Sequence, residues 1–439
     1  MRQPFIRTIL FYVFAAALIF LLIGFLIVPS LHAGIIETPK IDPGVCMLSL
    51  NFWNNSDDDW DDDWDDDWDK DWGESRTEAD IRYNRVEGIH LGMKLKRDYL
   101  KLEFPEQSYL FGFWGYSFGA KEFQYQAGLE KGIMEEFRLA FGGEYHRQID
   151  TPDRWIIGDV ENSLAAFLLK EDFRDFYLKE GGSGYIEQYL TRNARIQVSY
   201  HHDQLDSVKK NTNWALFGTK KDFRSNPAMS HGDIKSIQTS LLFDTRNSKK
   251  HPKRGWYIQV NGEHVLENSG SDFDFDCFIA DIRRYQPLGY GEGLDFRLRV
   301  GSGAGELPWH RSFHLGGIST LRGFRYKAFP NGPMEKGGNR MLLGQIEFRM
   351  GSDPVSDAFD LDIFDLNQYI LFADAGWVGE VDPNHTIFKG FGGLDWNDFK
   401  SNVGLAFTNH DGNVRFEIAR RTDTGEKPFT FLIRIKRDF

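Results

Sequence analysis

Cysteine is nearly absent: the 439-residue chain has two, Cys46 and Cys277. A pair so widely separated reads as neither a metal site nor a redox motif, and nothing in the pattern supports a disulfide between them. The residues before Cys46, Asp42-Pro43-Gly44-Val45, lack the leucine and small residues of a lipid-attachment site, so Cys46 reads as an ordinary thiol. Long apolar runs are also scarce. Hydrophobic residues make up 41% of the chain and mean hydropathy is −0.45, which excludes a bundle of transmembrane helices. Positive charge is in deficit as well: the formal net charge of −13 offers no basic footprint for nucleic acid.

The acidity is local. Residues 57–72 read DDDWDDDWDDDWDKDW, eleven Asp and one Lys, which account for −10 of the −13. Like charges four residues apart oppose a helix, and blocks of this kind are usually solvated. The first reading is therefore a disordered Asp/Trp-rich linker over 34–79. A second treats Asp57, Asp61, Asp65 and Asp69 as weak candidates for a divalent-cation or partner-binding tail, because hard cations prefer carboxylate oxygens and Trp can rest at a membrane interface. The one long apolar run, residues 9–28, follows Arg2 and Arg7 and precedes a plausible cleavage site at Ala33. It reads as a signal peptide over 1–33, or as a retained anchor, since its length is just enough to span a bilayer. Cleavage suits a barrel that no inner-membrane anchor could leave in the right membrane.

Aromatic residues are plentiful at 15%, with 38 Phe, 16 Tyr and 12 Trp beside 44 Gly. Membrane barrels use such rings at both interfaces. From residue 80 to 439 apolar and polar positions alternate over about ten residues and then break at Gly, Asn, Asp or Pro, the pattern of a strand wet on one side and lipid-facing on the other. Phe296, Leu298 and Val300 oppose Arg297 and Arg299. Val414, Phe416 and Ile418 oppose Arg415 and Glu417, and Ile196, Val198 and Tyr200 oppose Arg195, Gln197 and Ser199. In the last strand Phe429, Phe431, Ile433, Ile435 and Phe439 share one face, opposite Thr430, Arg434, Lys436 and Asp438. A soluble sandwich would alternate too, but the export segment, the aromatic content and the terminal Phe439 together favour an all-β transmembrane antiparallel barrel in the bacterial outer membrane. Allowing about 22 residues per strand and connection gives roughly 16 strands. Residues 162–180 break the pattern: Leu164, Phe167, Leu168 and Phe176 recur at helical spacing, predicting an amphipathic helix in a long connection.

Several segments resemble one family in order along the chain. Tyr83-Asn84-Arg85-Val86-Glu87-Gly88 resembles the opening of the bacterial surface-antigen barrels, the BamA/TamA superfamily of outer-membrane assembly factors. Asp244-Thr245-Arg246-Asn247 with Pro252 and Gly255 is similar to a strand-turn of that barrel. Phe313-His314-Leu315-Gly316-Gly317 and Thr320-Leu321-Arg322-Gly323-Phe324 resemble its lumen loop, while Gly344-Gln345-Ile346-Glu347 and Phe372-Ala373-Asp374-Ala375-Gly376 resemble the wall strands that receive it. The resemblance implies that Arg322 meets Asp374 and Glu347, that Gly323 bends the loop tightly, and that Phe324 packs on the wall. It also implies that the terminal aromatic strand is an assembly signal.

Family members that insert or secrete proteins usually carry POTRA domains; the stretch between Ala33 and Asp80 has room for none and could not bury a core, which puts hand-off by that route in doubt. No Gly-x-Ser-x-Gly nucleophile motif precedes the barrel, and His201-His202 and His310/His314 stand in no catalytic or metal pattern. The expected function is a barrel without catalysis or cofactor that assists membrane-protein or lipid assembly or translocation. Its expected partners are outer-membrane lipid and an unfolded barrel client or periplasmic protein, with no small-molecule substrate. The alternative is a passive channel or structural surface barrel.

Overall fold

The computed structural model describes residues 77–95, 108–134, 138–217, 220–248, 251–266, 269–289, 291–350, 366–409, 414–422 and 429–435. The export segment, Cys46, the repeat containing Asp57, Asp61, Asp65 and Asp69, and Phe439 lie outside them. Sixteen strands form one antiparallel sheet in chain order. They are β1 (Thr77–Asn84), β2 (Gly88–Leu95), β3 (Ser108–Ser117), β4 (Glu122–Met134), β5 (Leu139–Asp150), β6 (Tyr177–Tyr189), β7 (Ala194–Ser207) and β8 (Gly232–Asp244). The second half comprises β9 (Gly255–Val265), β10 (Phe275–Gly289), β11 (Glu292–Gly305), β12 (Arg340–Met350), β13 (Leu366–Gly379), β14 (Lys400–Asn409), β15 (Val414–Arg421) and β16 (Phe429–Ile435).

Alternation dictates which side chain faces which solvent. On β11, Asp295, Arg297 and Arg299 are buried inside while Phe296 and Leu298 are exposed on the outer wall. On β7, Arg195, Gln197 and Ser199 are buried and Val198 and Tyr200 exposed. The outer face of β16 carries Phe429, Phe431 and Ile433 at 57, 71 and 64% exposure, which suits hydrocarbon; Arg434 points inward and is buried. Among the described residues no helix is long and apolar enough to cross a membrane.

The four longest connections share one rim. It carries the connections 151–176, 208–231, 306–339 and 380–399; the other has turns such as 190–193 and 245–254. Outer-membrane barrels keep short turns on the periplasmic side and longer loops outside, which places the long-loop rim at the cell surface.

Two expectations change. The predicted helix over 162–180 is a shorter helix, α1 (Asp159–Leu169), because Lys170 takes a left-handed conformation and ends it. Residues 171–176 are not helical: Asp172 and Asp175 are drawn off the helix by ion pairs with the buried Arg85 at 2.9 and 3.0 Å, and β6 already begins at Tyr177. The inner wall is also less uniformly polar than alternation implies. Near the long-loop rim Cys277, Ile279, Met341 and Leu343 point inward and form an apolar core with Leu307, Phe313, Leu315, Leu321 and Phe324.

Candidate functional site

The loop 306–339 turns back into the lumen. Pro308 leads into a short 3-10 turn (Trp309–Arg311), and antiparallel bridges Phe313↔Gly338 and Leu315↔Phe329 hold the two arms together. Between those arms the chain folds over on itself: Gly316 and Gly317 have φ of 124 and 86°, and a Cβ on Gly317 would sit 2.8 Å from Tyr326 Cα. Only glycine tolerates that combination of backbone angle and contact. The arms bury Leu315, Leu321 and Phe324 against the apolar inner wall, which fixes the depth to which the loop tip descends.

At that tip Arg322 is 3% exposed and reaches three strands. Its Nε and Nη2 donate to the two oxygens of Asp374 on β13 at 2.8 and 2.6 Å, a bidentate fork, and Nη1 donates to Glu347 on β12 at 2.6 Å. Glu417 on β15 accepts a longer contact from Nη1 at 3.4 Å. Its guanidinium also lies 3.6 Å from the centroid of the Phe372 ring. Burial alone would lower the pKa of this guanidinium; Asp374, Glu347 and Glu417 more than offset that and hold it well above the ordinary arginine range. A buried cation is tolerable only when paired and fully hydrogen-bonded, and a planar fork meets that demand better than an ammonium.

The carboxylates are held in turn. Asp374 accepts from Asn402 Nδ2 at 2.8 Å and Gln345 Nε2 at 3.1 Å, while Glu347 accepts a second fork from Arg415 at 2.7 and 2.9 Å. Arg415 Nε also pairs with Glu417 at 2.7 Å. Two cations and three anions thus tie the loop tip to β12, β13 and β15. Sequence reading brought Arg322, Asp374 and Glu347 together but missed Asn402, Arg415 and Glu417 as members of the network. The signal was present in the last two, whose polar side chains alternate inward opposite Val414, Phe416 and Ile418.

Gly323 sits within a turn closed by Phe324 N donating to Leu321 O at 3.0 Å. Its backbone is not in the left-handed region, and a Cβ there would stand 2.8 Å from Asn402 Cβ and 3.3 Å from Arg421 Cγ. The glycine permits close approach to the wall, and its carbonyl accepts from Thr430 Oγ1 at 3.2 Å. Phe324 is buried beneath the Arg421 guanidinium, 4.4 Å from its ring centroid, and meets Phe329 edge-on at 5.1 Å.

A second set of ion pairs binds this loop to its neighbours at the rim. Lys327 pairs with Asp153 and Asp175, both at 2.8 Å, and Asp175 also holds Arg85 in the Asn84-Arg85-Val86-Glu87-Gly88 turn between β1 and β2. His314 Nε2 donates to Glu335 O at 3.0 Å; burial, with the Lys327 charge, lowers its pKa to about 4. Among the described residues no group of three or more His, Cys, Asp or Glu side chains could hold a metal. Of the terminal aromatic set, Phe429, Phe431, Ile433 and Ile435 lie on β16, which pairs only with β15 among the described residues; β1 pairs only with β2.

The chain is similar to known proteins. The outer membrane protein assembly factor BamA of Nitratidesulfovibrio vulgaris is 24% identical over 285 residues, covering 58% of this chain and 34% of that protein. The chain therefore spans about a third of the length of that curated relative. The crystal structure of BamA from Haemophilus ducreyi lacking POTRA domains 1-3 superimposes with a TM-score of 0.52 at 15% identity, over 82% of this chain and 70% of that one. The Omp85 superfamily domain matches residues 176–433, more than half of the sequence, and includes the loop and all three strands bound by Arg322. With that match, this outer-membrane β-barrel belongs to the Omp85 superfamily.

Proposed function

We propose that the barrel assists the insertion of other β-barrel chains into the outer membrane, without catalysis, by offering its edge strands to a client. The observation that carries this reading is the open ladder: β1 and β16 are each paired on one side only among the described residues. An unpaired strand edge presents a row of N–H and C=O groups that templates another strand. In hydrocarbon such groups cost several kcal/mol each if left unmet, so a client strand is a favourable occupant. The relative named as an assembly factor supports the same direction. An unfolded barrel and the surrounding lipid are the partners this implies, with a periplasmic protein to deliver the client. In this reading residues 1–33 serve as an export signal and the Asp/Trp-rich residues 34–79 as a linker.

The lumen is occupied by the 306–339 loop and its ion pairs, which argues against a passive open channel. The test is reconstitution of the purified full chain into vesicles followed by addition of a urea-unfolded small barrel. The expected result is faster appearance of the client's heat-modifiable folded band than in bare vesicles. Client folding at the bare-vesicle rate, together with steady conductance in planar bilayers, would replace this reading with the channel.

A further inference from the structure

We propose that α1 is a strap that closes the seam between β1 and β16 by occupying the edge amides that a client strand would use. The part concerning the client rests on the assembly reading above; the part concerning the seam stands on geometry.

The β1 edge comes first. Phe118 N donates to Ile89 O, so Ile89 on β2 is turned toward β3; its partner Tyr83 is then turned away from β2, toward the open side. The N–H of Tyr83 is taken by Ser163 Oγ of α1 at 3.1 Å. At the β16 edge the N–H of Ile435 donates to Glu161 Oε1 at 3.1 Å, and the neighbouring Arg434 donates to the same carboxylate through Nε at 2.7 Å and Nη2 at 3.2 Å. Two side chains two residues apart on one helix therefore satisfy one backbone amide on each edge.

Packing anchors the strap from the β1 side. The Tyr83 ring meets Phe167 of α1 at 5.5 Å and Trp214 at 6.3 Å, both edge-on, and its hydroxyl donates to Trp214 O at 2.6 Å. Leu216 and Phe217 in turn donate their N–H groups to Phe167 O and Leu168 O, covering carbonyls left over at the end of the helix. Four apolar side chains, Leu164, Leu169, Leu216 and Phe217, are exposed on this assembly, whereas Asp159, Glu161 and Asn162 are buried. That polarity suits a helix with its charged side in the lumen and its apolar side filling the gap toward hydrocarbon.

The strap is light enough to release. Among the described residues its hydrogen bonds to β16 run through one carboxylate, to Arg434 and one amide, and its hydrogen bond to β1 runs through one serine hydroxyl, beside the charge of Asp159 near Arg82. Arg434 Nη1 also donates to Ser319 Oγ at 2.9 Å, so the arginine that anchors α1 touches the Arg322 loop and joins strap to lock.

Hydrogen–deuterium exchange on the full chain in lipid vesicles tests this. In Glu161→Ala/Ser163→Ala the amides of Tyr83 and Ile435 should exchange about three- to tenfold faster, the worth of one lost hydrogen bond in an opening equilibrium, while peptides containing Asp374 keep wild-type protection. The volume-conserving Glu161→Gln should fall between the two and covers the case in which the double variant fails to fold. Unchanged exchange at Tyr83 and Ile435 in the folded variants overturns the strap. Adding an unfolded barrel client to wild type should raise exchange along α1. If client folding is accelerated while α1 stays protected, the strap is overturned; if the variants open their edges but no client is accelerated, the seam geometry stands and the assembly reading falls.

Discussion

Removing Arg322 does not orphan its partners equally. Glu347 would keep the bidentate fork from Arg415, but Asp374 would be left with the side-chain amides of Asn402 and Gln345 and the backbone N–H of residue 322, and no cation. Losing one member of a buried ion pair costs about 3–5 kcal/mol, because the remaining charge stays desolvated. Asp374→Asn is milder at about 1–3 kcal/mol, since Arg322 retains Glu347 at 2.6 Å and Glu417 at 3.4 Å. The double variant Arg322→Ala/Asp374→Asn removes both charges and leaves Arg415 to serve Glu347, so it should cost less than the two single changes added, with a coupling of about 1–3 kcal/mol. The assay is the temperature at which the compact band converts to the unfolded band on a detergent gel. At about 2 °C per kcal/mol for a large domain, Arg322→Ala should convert ~6–10 °C early. Wild-type conversion in Arg322→Ala, or strict additivity in the double variant, would refute the paired-charge lock.

Acid should loosen the same loop through His314. Its folded pKa of about 4 lies below its ordinary 6.5, so between those values the unfolded chain binds the extra proton; stability is full above pH 6.5 and falls as pH drops toward 4, by about 3 kcal/mol. Comparing conversion temperatures at pH 7 and pH 4.5 for wild type and His314→Gln checks this, and the variant should show a shallower pH slope. Gly323→Ala should push the loop tip off β14 at a cost of about 1–3 kcal/mol, seen as faster tryptic cleavage after Arg325 or Lys327. Leu298→Arg, which puts a guanidinium on the lipid face of β11, should lower the folded fraction in vesicles by about 2–4 kcal/mol if the site is near the bilayer midplane.

The wall was legible because each strand repeats a local rule. Asp295, Arg297 and Arg299 against Phe296 and Leu298 define inside and outside without reference to any other strand. What was not legible depends on elements distant in sequence. Met341-Leu342-Leu343 is an apolar run with no alternation, and it marks a wall apolar on both faces, but only the presence of Phe313 and Leu321 opposite explains it. The early end of α1 is set by Arg85, far upstream, which claims Asp172 and Asp175 from the predicted helix. The role of Gly323 likewise depends on Asn402, a contact between loop and wall that no local periodicity encodes.

The central claim is that the open edge of β1 receives an incoming strand. A photo-cross-linking amino acid at Ile81, which is exposed on the outer face of β1, measures this directly while an unfolded barrel inserts into vesicles, with Leu298 on β11 as the mid-wall control. Client adducts at Ile81 that exceed those at Leu298 and disappear once folding is complete are the predicted result. Equal labelling at both positions, or none at Ile81 while the client folds at an accelerated rate, would contradict it.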